Sequence, residues 1–281
     1  NLVLIGGGTY AGTARPLLEL GLDMSGKQDP HVLIVPTPKS QEAAFNSLVA
    51  KMPAMYADAG IHTVSFLHEF GEMPDLAVIQ EKIDAADVLY ISGGNTRYAM
   101  EQWRSAGVDI ALTEAMRRGK VMTGISAGAL TWFKEGHSDS LSYEVPKGEP
   151  WDFSIIDGIG QIDTLATPHF DSTSTPDGRL RSEHFKETLR ERSATSNRTE
   201  FGLGIDNNAA LVATNGLMRV VKSTPTAGLH VASTTPEMLT TTSSLDAPVF
   251  SVNSQRTRSM DSISNQGISW QDFYQQLGRN Q

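Results

Sequence analysis

The sequence predicts an α/β fold, a doubly wound and mostly parallel sheet with helices on both faces. Three observations carry it. Short runs that are apolar at almost every position, among them Leu2 to Ile5, His31 to Val35 and Val88 to Ser92, suit strands buried on both sides. Amphipathic helical segments alternate with these runs, the rhythm of crossover connections in a parallel sheet. Glycine-rich turns follow several strands, at the carboxyl ends where such sheets bind ligands.

The 281 residues, 39% of them apolar, suffice for one sizeable core. We expect a single α/β domain over 1–233 and a polar extension over 234–281, packed on it or partly disordered. A net charge of −9 with no basic run argues against nucleic acid or an anionic membrane surface as partner. With no cysteine, thiolate catalysis, disulfides and Cys-ligated zinc are excluded, so a nucleophile must be an oxygen or a lysine. The seven histidines are scattered without metal-ligand spacing, and neither metal nor cofactor is expected. No apolar stretch approaches the ~18 residues of a membrane span. The chain begins at Asn1, which leaves a trimmed targeting segment open; the expected location is cytoplasmic.

Taken in order, the first strand runs into Gly6-Gly7-Gly8, a loop where backbone must come close to something. Gly6, Gly8 and Ala11 approximate a dinucleotide fingerprint, but the next strand ends in Pro36 without the acidic residue that would hold a ribose. Ser40 to Ala59 reads as helix with a break at Pro53, Ile61 to Phe66 as strand and Asp75 to Ala86 as helix. After Val88 to Ser92 come Gly93-Gly94-Asn95-Thr96, then helical stretches at Arg97 to Ser105 and Val108 to Arg118. Lys134 to Ile162 lacks periodicity and reads as a long polar connection. Ile162 to Thr167 is a strand that delivers Pro168-His169-Phe170-Asp171, and Arg181 to Arg192 is helical. Gly204-Ile205-Asp206-Asn207-Asn208 closes another strand. Thr214-Asn215-Gly216 between apolar runs predicts a hairpin that forms an antiparallel edge. A short helix at Trp270 to Leu277 is the last element expected.

The chemistry centres on Lys120 to Trp132, a strand, then Gly124-Ile125-Ser126-Ala127-Gly128, then the opening of a helix. A serine between two glycines at such a turn is the pattern of a nucleophile elbow, with the Ala127 amide placed to hold an oxyanion. An ordinary serine N-cap would use the same residues. Gly93-Gly94, one strand away, can supply a second amide, and His169 stands at a strand end where a base is needed.

Together, Ser92-Gly93-Gly94-Asn95-Thr96, Gly124-Ile125-Ser126-Ala127-Gly128-Ala129, Pro168-His169-Phe170 and Gly204-Ile205-Asp206 resemble the dipeptidase E (aspartyl dipeptidase) and cyanophycinase family of serine peptidases, over roughly Leu2 to Ser233. The resemblance implies a class I glutamine amidotransferase-like, flavodoxin-like fold with serine in place of cysteine. It implies Ser126 as nucleophile, His169 as base, and Gly94 and Ala127 as oxyanion donors. Asn95, Asp139 beside Ser140, and Arg181 fall at substrate-binding positions, Arg181 where the family has an arginine associated with acidic substrates. Relatives carry Glu or Asp where this chain has Asn207, next to Asp206. Successive residues of an extended chain face opposite ways, so one of the two orients His169: Asp206 is favoured by chemistry, Asn207 by alignment.

The expected function is a serine exopeptidase that hydrolyses small peptides through an acyl-enzyme, with an N-terminal Asp as the implied preference. The chain would act as a monomer or homodimer. The alternatives are a non-catalytic amidotransferase-like binding or regulatory protein and a cyanophycinase-type isoaspartyl peptidase. An α/β-hydrolase esterase using Asp171 and His230 is a further rival, because its chain order is serine, acid, histidine.

Overall fold

The computed structural model describes residues 1–10, 12–234, 243–244, 249–251 and 267–276. Strand β1 (Leu2–Ile5) is buried at all four positions because it lies inside a nine-stranded sheet with neighbours on both sides. To one side run β5 (Val121–Ile125), β4 (Val88–Ile91), β2 (Val32–Val35) and β3 (Val64–Phe66), all parallel. To the other, β10 (Ala209–Thr214) and β11 (Leu217–Lys222) continue antiparallel. Asn215 and Gly216 join them with φ of 51° and 76°, the paired positive angles of a type I′ turn. This hairpin is not the sheet's edge. Both β14 (Val249–Ser251) and β15 (Ile268–Ser269) pair with β11.

Helices cover both faces. On one, α1 (Arg15–Asp23) and α2 (Glu42–Asp58) bring Leu17, Leu48 and Tyr56 against Val3, Ile5, Ile34 and Tyr90. Pro16 starts α1, where its missing N–H costs nothing. The break expected at Pro53 does not occur: α2 runs through it. Pro53 lies on the exposed face of the helix, and Val49, whose carbonyl loses its helical donor, is half-buried. On the opposite face lie α3 (Leu76–Ala85), α4 (Thr96–Ala106) and α5 (Val108–Arg117), whose Ile79, Trp103 and Leu112 are fully buried.

That second face also carries what the sequence reading missed, a further sheet. Its order is β13 (Ser243–Ser244), β12 (Leu229–Ser233), β9 (Phe201–Ile205), β8 (Ile162–Pro168), β6 (Phe133–Ser138) and β7 (Ser154–Asp157). The supposed polar connection from Lys134 therefore contains two strands. β6 hides its alternation because it carries a register shift between Phe133 and Glu135 and buries three consecutive residues, Gly136, His137 and Ser138. Leu203, Ile205, Trp132 and Phe133 join Leu4, Leu33 and Leu89 in one core, so the two sheets pack as adjoining layers. α7 (Arg181–Ser196) covers the outer side of β9 through Phe185 and Leu189. Near the end of the chain α8 (Trp270–Gln276) seats Phe273 in the core, and the Tyr274 hydroxyl accepts the Asp163 N–H at 3.1 Å. The rest of the expected polar extension lies outside the described residues. No helix among the described residues is long and apolar enough to cross a membrane.

Candidate active site

Ser126 joins β5 to α6 (Ala127–Leu130) with φ 55° and ψ −116°, a conformation that costs a non-glycine residue roughly 1–3 kcal/mol. The glycines around it are required by contact. A Cβ on Gly124 would stand 2.3 Å from the Gly128 carbonyl oxygen, and one on Gly128 would stand 2.3 Å from that of Ile91. The turn therefore closes only with glycine at both positions, and it projects the serine from the carboxyl end of β5.

His169 arrives from the second sheet, at the end of β8, also strained, with φ 117°. Its Nε2 lies 2.6 Å from Ser126 Oγ, and its Nδ1 lies 2.9 Å from Asn207 Oδ1. Asp171 Oδ1 accepts both the Asn207 backbone N–H, at 2.8 Å, and its side-chain NH2, at 2.9 Å. With its NH2 committed there, Asn207 can offer His169 only its carbonyl oxygen. The ring proton must then sit on Nδ1, which leaves Nε2 to accept from the serine hydroxyl. Burial, and next the positive charge of Arg181, push the His169 pKa below its ordinary value, while Asn207 and the carboxylates of Asp139 and Asp171 pull the other way. The ring is thus neutral at pH 7, as a base must be.

Asp206 faces elsewhere. Its buried Oδ2 accepts the Gly228 N–H at 2.9 Å and lies 2.8 Å from His230 Nε2, whose ring stacks on Phe170 at 5.0 Å. Of the two neighbouring residues, geometry gives His169 to Asn207, and the chemical preference for Asp206 is overturned by the alternation of side chains past β9. The esterase pairing of Asp171 with His230 is likewise not formed, since each of them holds a different partner.

Gly6-Gly7-Gly8 packs directly against this arrangement. A Cβ on Gly7 would fall 2.2 Å from both Asn207 Oδ1 and His169 Nδ1, directly on their hydrogen bond, and a Cβ on Gly6 would fall 2.3 Å from the Asp206 carbonyl oxygen. The sequence signalled a close approach at these glycines without naming what approached.

Gly93 and Gly94 run beside the serine: a Cβ on Gly93 would lie 3.2 Å from that of Ser126. Gly94 has φ 149°, and a Cβ there would stand 2.0 Å from the Pro38 carbonyl oxygen. Among the described residues neither the Gly94 nor the Ala127 amide has an acceptor. Asn95 is the N-cap of α4, its side chain accepting the Tyr98 N–H at 3.0 Å, a structural duty that accounts for its burial. Arg181 is 2% exposed, and its guanidinium donates to Thr167 Oγ1 at 3.0 Å, to the His137 carbonyl at 2.9 Å and to Asp139 at 3.4 Å. The Phe153 ring lies 4.8 Å below it. Among the described residues no group of His, Asp or Glu is arranged to hold a metal ion.

The model of peptidase family S51 matches residues 2–221, most of the chain. The chain belongs to peptidase family S51. Relatives within reach of sequence include peptidase E of Streptomyces coelicolor, 30% identical over 195 residues that make up 68% of this chain and 74% of that protein. The uncharacterized peptidase YgaJ of Bacillus subtilis is 27% identical over 183 residues, 61% of this chain and 69% of that one. Among solved structures, a peptidase from an acI-B1 actinobacterium superposes with a TM-score of 0.57 at 20% identity, covering 82% of this chain and 88% of its own. A putative peptidase E from Listeria monocytogenes gives 0.53 at 18%, covering 80% and 98%. At those identities the structural likeness speaks for the fold. The S51 assignment makes the chain a peptidase by family.

Proposed function

We propose that this S51 member is a serine peptidase acting on small peptides as an exopeptidase. The observation that carries the reading is the 2.6 Å approach of Ser126 Oγ to His169 Nε2, with Nδ1 of the same ring held by Asn207. His169 takes the serine proton as Oγ attacks the peptide carbonyl, and the Gly94 and Ala127 amides receive the oxyanion. As the C–N bond breaks, His169 returns the proton to the leaving amine. Water, deprotonated by the same ring, then releases the acyl group from Ser126.

The third member is unusual for a serine nucleophile. Asn207 orients the ring without a charge of its own, and Asp171 behind it supplies the carboxylate one hydrogen bond further away. Ser126, His169, Asn207 and Asp171 thus form a relay in which the acid acts through an amide.

An acidic first residue would need Arg181, whose guanidinium is already engaged by Asp139. Such a substrate would compete with that carboxylate for the same donor, so the reading carried forward is an exopeptidase without strong acidic selectivity. A panel of di- and tripeptides with acidic, basic and apolar first residues, assayed on wild type and Ser126→Ala, tests it. Hydrolysis abolished by Ser126→Ala and comparable across first residues is the expected result; a sharp preference for Asp would reverse the selectivity argument. No hydrolysis by the wild type, together with no labelling of Ser126 by a fluorophosphonate, would favour the binding-protein alternative.

A further inference from the structure

Beside the Gly93–Gly94 loop lies a cavity of about 440 Å³, lined among others by Tyr10, Arg15, Lys39, Leu48, Met52 and Met55. Gly93 borders Ser126, while Gly94 borders Pro38, and a Cβ there would also stand 3.2 Å from the Lys39 backbone nitrogen. The Tyr10 hydroxyl accepts the Gly93 N–H at 3.4 Å. The loops after β5, β4 and β2 therefore lie side by side, and strands in a sheet are ~4.8 Å apart. Two such spacings, about 10 Å, equal roughly three residues of extended peptide, fewer once a lysine side chain reaches back.

The lining has an apolar floor and a charged rim, to which the exposed Lys51 and Asp58 also belong. Leu48 and Met52 form a buried apolar floor. Above it Lys39 is part-buried, and among the described residues no carboxylate pairs with it, whereas Arg15 nearby is held by Glu19 at 2.8 Å. Desolvation lowers the Lys39 pKa, the direction expected of a cation left without its counter-ion. An anion attached to an apolar body would relieve that cost and fill the floor at once.

We propose that this cavity is the leaving-group subsite, which receives the C-terminal residue of the peptide with its free carboxylate on Lys39 and an apolar side chain on Leu48, Met52 and Met55. The proposal rests on the peptidase reading and adds to it which end of the substrate is recognised. The enzyme then prefers peptides with a free, apolar C-terminal residue about one to three positions beyond the scissile bond.

The test compares alanyl-alanyl-leucine with its C-terminal amide on wild type, Lys39→Met and Lys39→Arg, circular dichroism verifying the fold of each variant. We expect the wild type to favour the free acid by about tenfold in kcat/KM, the size of one charge-assisted contact. In Lys39→Met the ratio falls to about one, and in Lys39→Arg it is largely restored. Equal ratios in wild type and Lys39→Met overturn the subsite. If the wild type cleaves neither peptide, the catalytic reading is what fails. The subsite is then decided by calorimetric titration of both peptides into wild type and Lys39→Met: binding that depends on the carboxylate and on Lys39 supports it, and binding indifferent to either rejects it.

Discussion

Asn207 stands where a carboxylate would hold the base more strongly, and the difference is electrostatic. In the proposed mechanism an amide fixes the ring of His169 but does little for the imidazolium that would form as Ser126 gave up its proton. Asp171→Ala should therefore do more than remove two hydrogen bonds, because the freed Asn207 amide can turn its NH2 toward His169. We expect kcat to fall about tenfold or more with KM little changed, and Asp171→Asn to recover part of the loss; equal loss in both variants would count against a positioning role. The histidine also predicts a pH profile. Since its pKa is lowered, the acid limb of kcat/KM should lie below pH 6.5, and Asn207→Asp, by stabilising imidazolium, should move that limb to higher pH. A pH titration of kcat/KM on both proteins reads the shift and its sign directly.

Two elements behave differently from what their residues alone suggest. The loop after β1 is a spacer for a hydrogen bond between residues that follow β8 and β9, so Gly7→Ala should abolish activity while leaving the sheet formed, as near-native circular dichroism would show. Helix α2 runs through Pro53 on its exposed face, yet the ring still costs a helical hydrogen bond. Pro53→Ala should stabilise the protein by about 1–3 kcal/mol, seen as a rise of several degrees in thermal unfolding. A fall would mean that the proline is favoured through the unfolded chain instead.

For the molecule as a whole, the site is a junction of two sheets. The first contributes Ser126 and the glycine loops, the second His169 and Asn207, and the packing of Trp132, Phe133, Leu203 and Ile205 holds them in register. Three histidines in this framework, His68, His137 and His169, all have pKa values lowered chiefly by burial. Each binds its proton more weakly folded than unfolded, so their contribution is complete above the unfolded value near 6.5 and is lost as pH falls below it toward the folded values. The protein should therefore unfold at lower temperature at pH 5 than at pH 7.5, before most carboxylates titrate. Melting temperatures unchanged between the two would exclude this linkage.

Much of this was legible in the chain. Apolar strands, alternating helices, the Asn-Gly hairpin and the G-x-S-x-G turn are local patterns, written within a few residues by sterics and hydrophobic spacing, and Ser126 and, at the end of its strand, His169 could be named as candidates. The second sheet could not, because β6 is bulged and half polar and its strands satisfy one another only once β8 and β9 lie alongside. Nor could the choice of Asn207 over Asp206, the service of Gly7 to a hydrogen bond it does not make, or the recruitment of Asp171. Those depend on which way a side chain points past the end of a strand and on what stands there to receive it, and such a meeting of residues far apart in sequence exists only after the chain has folded.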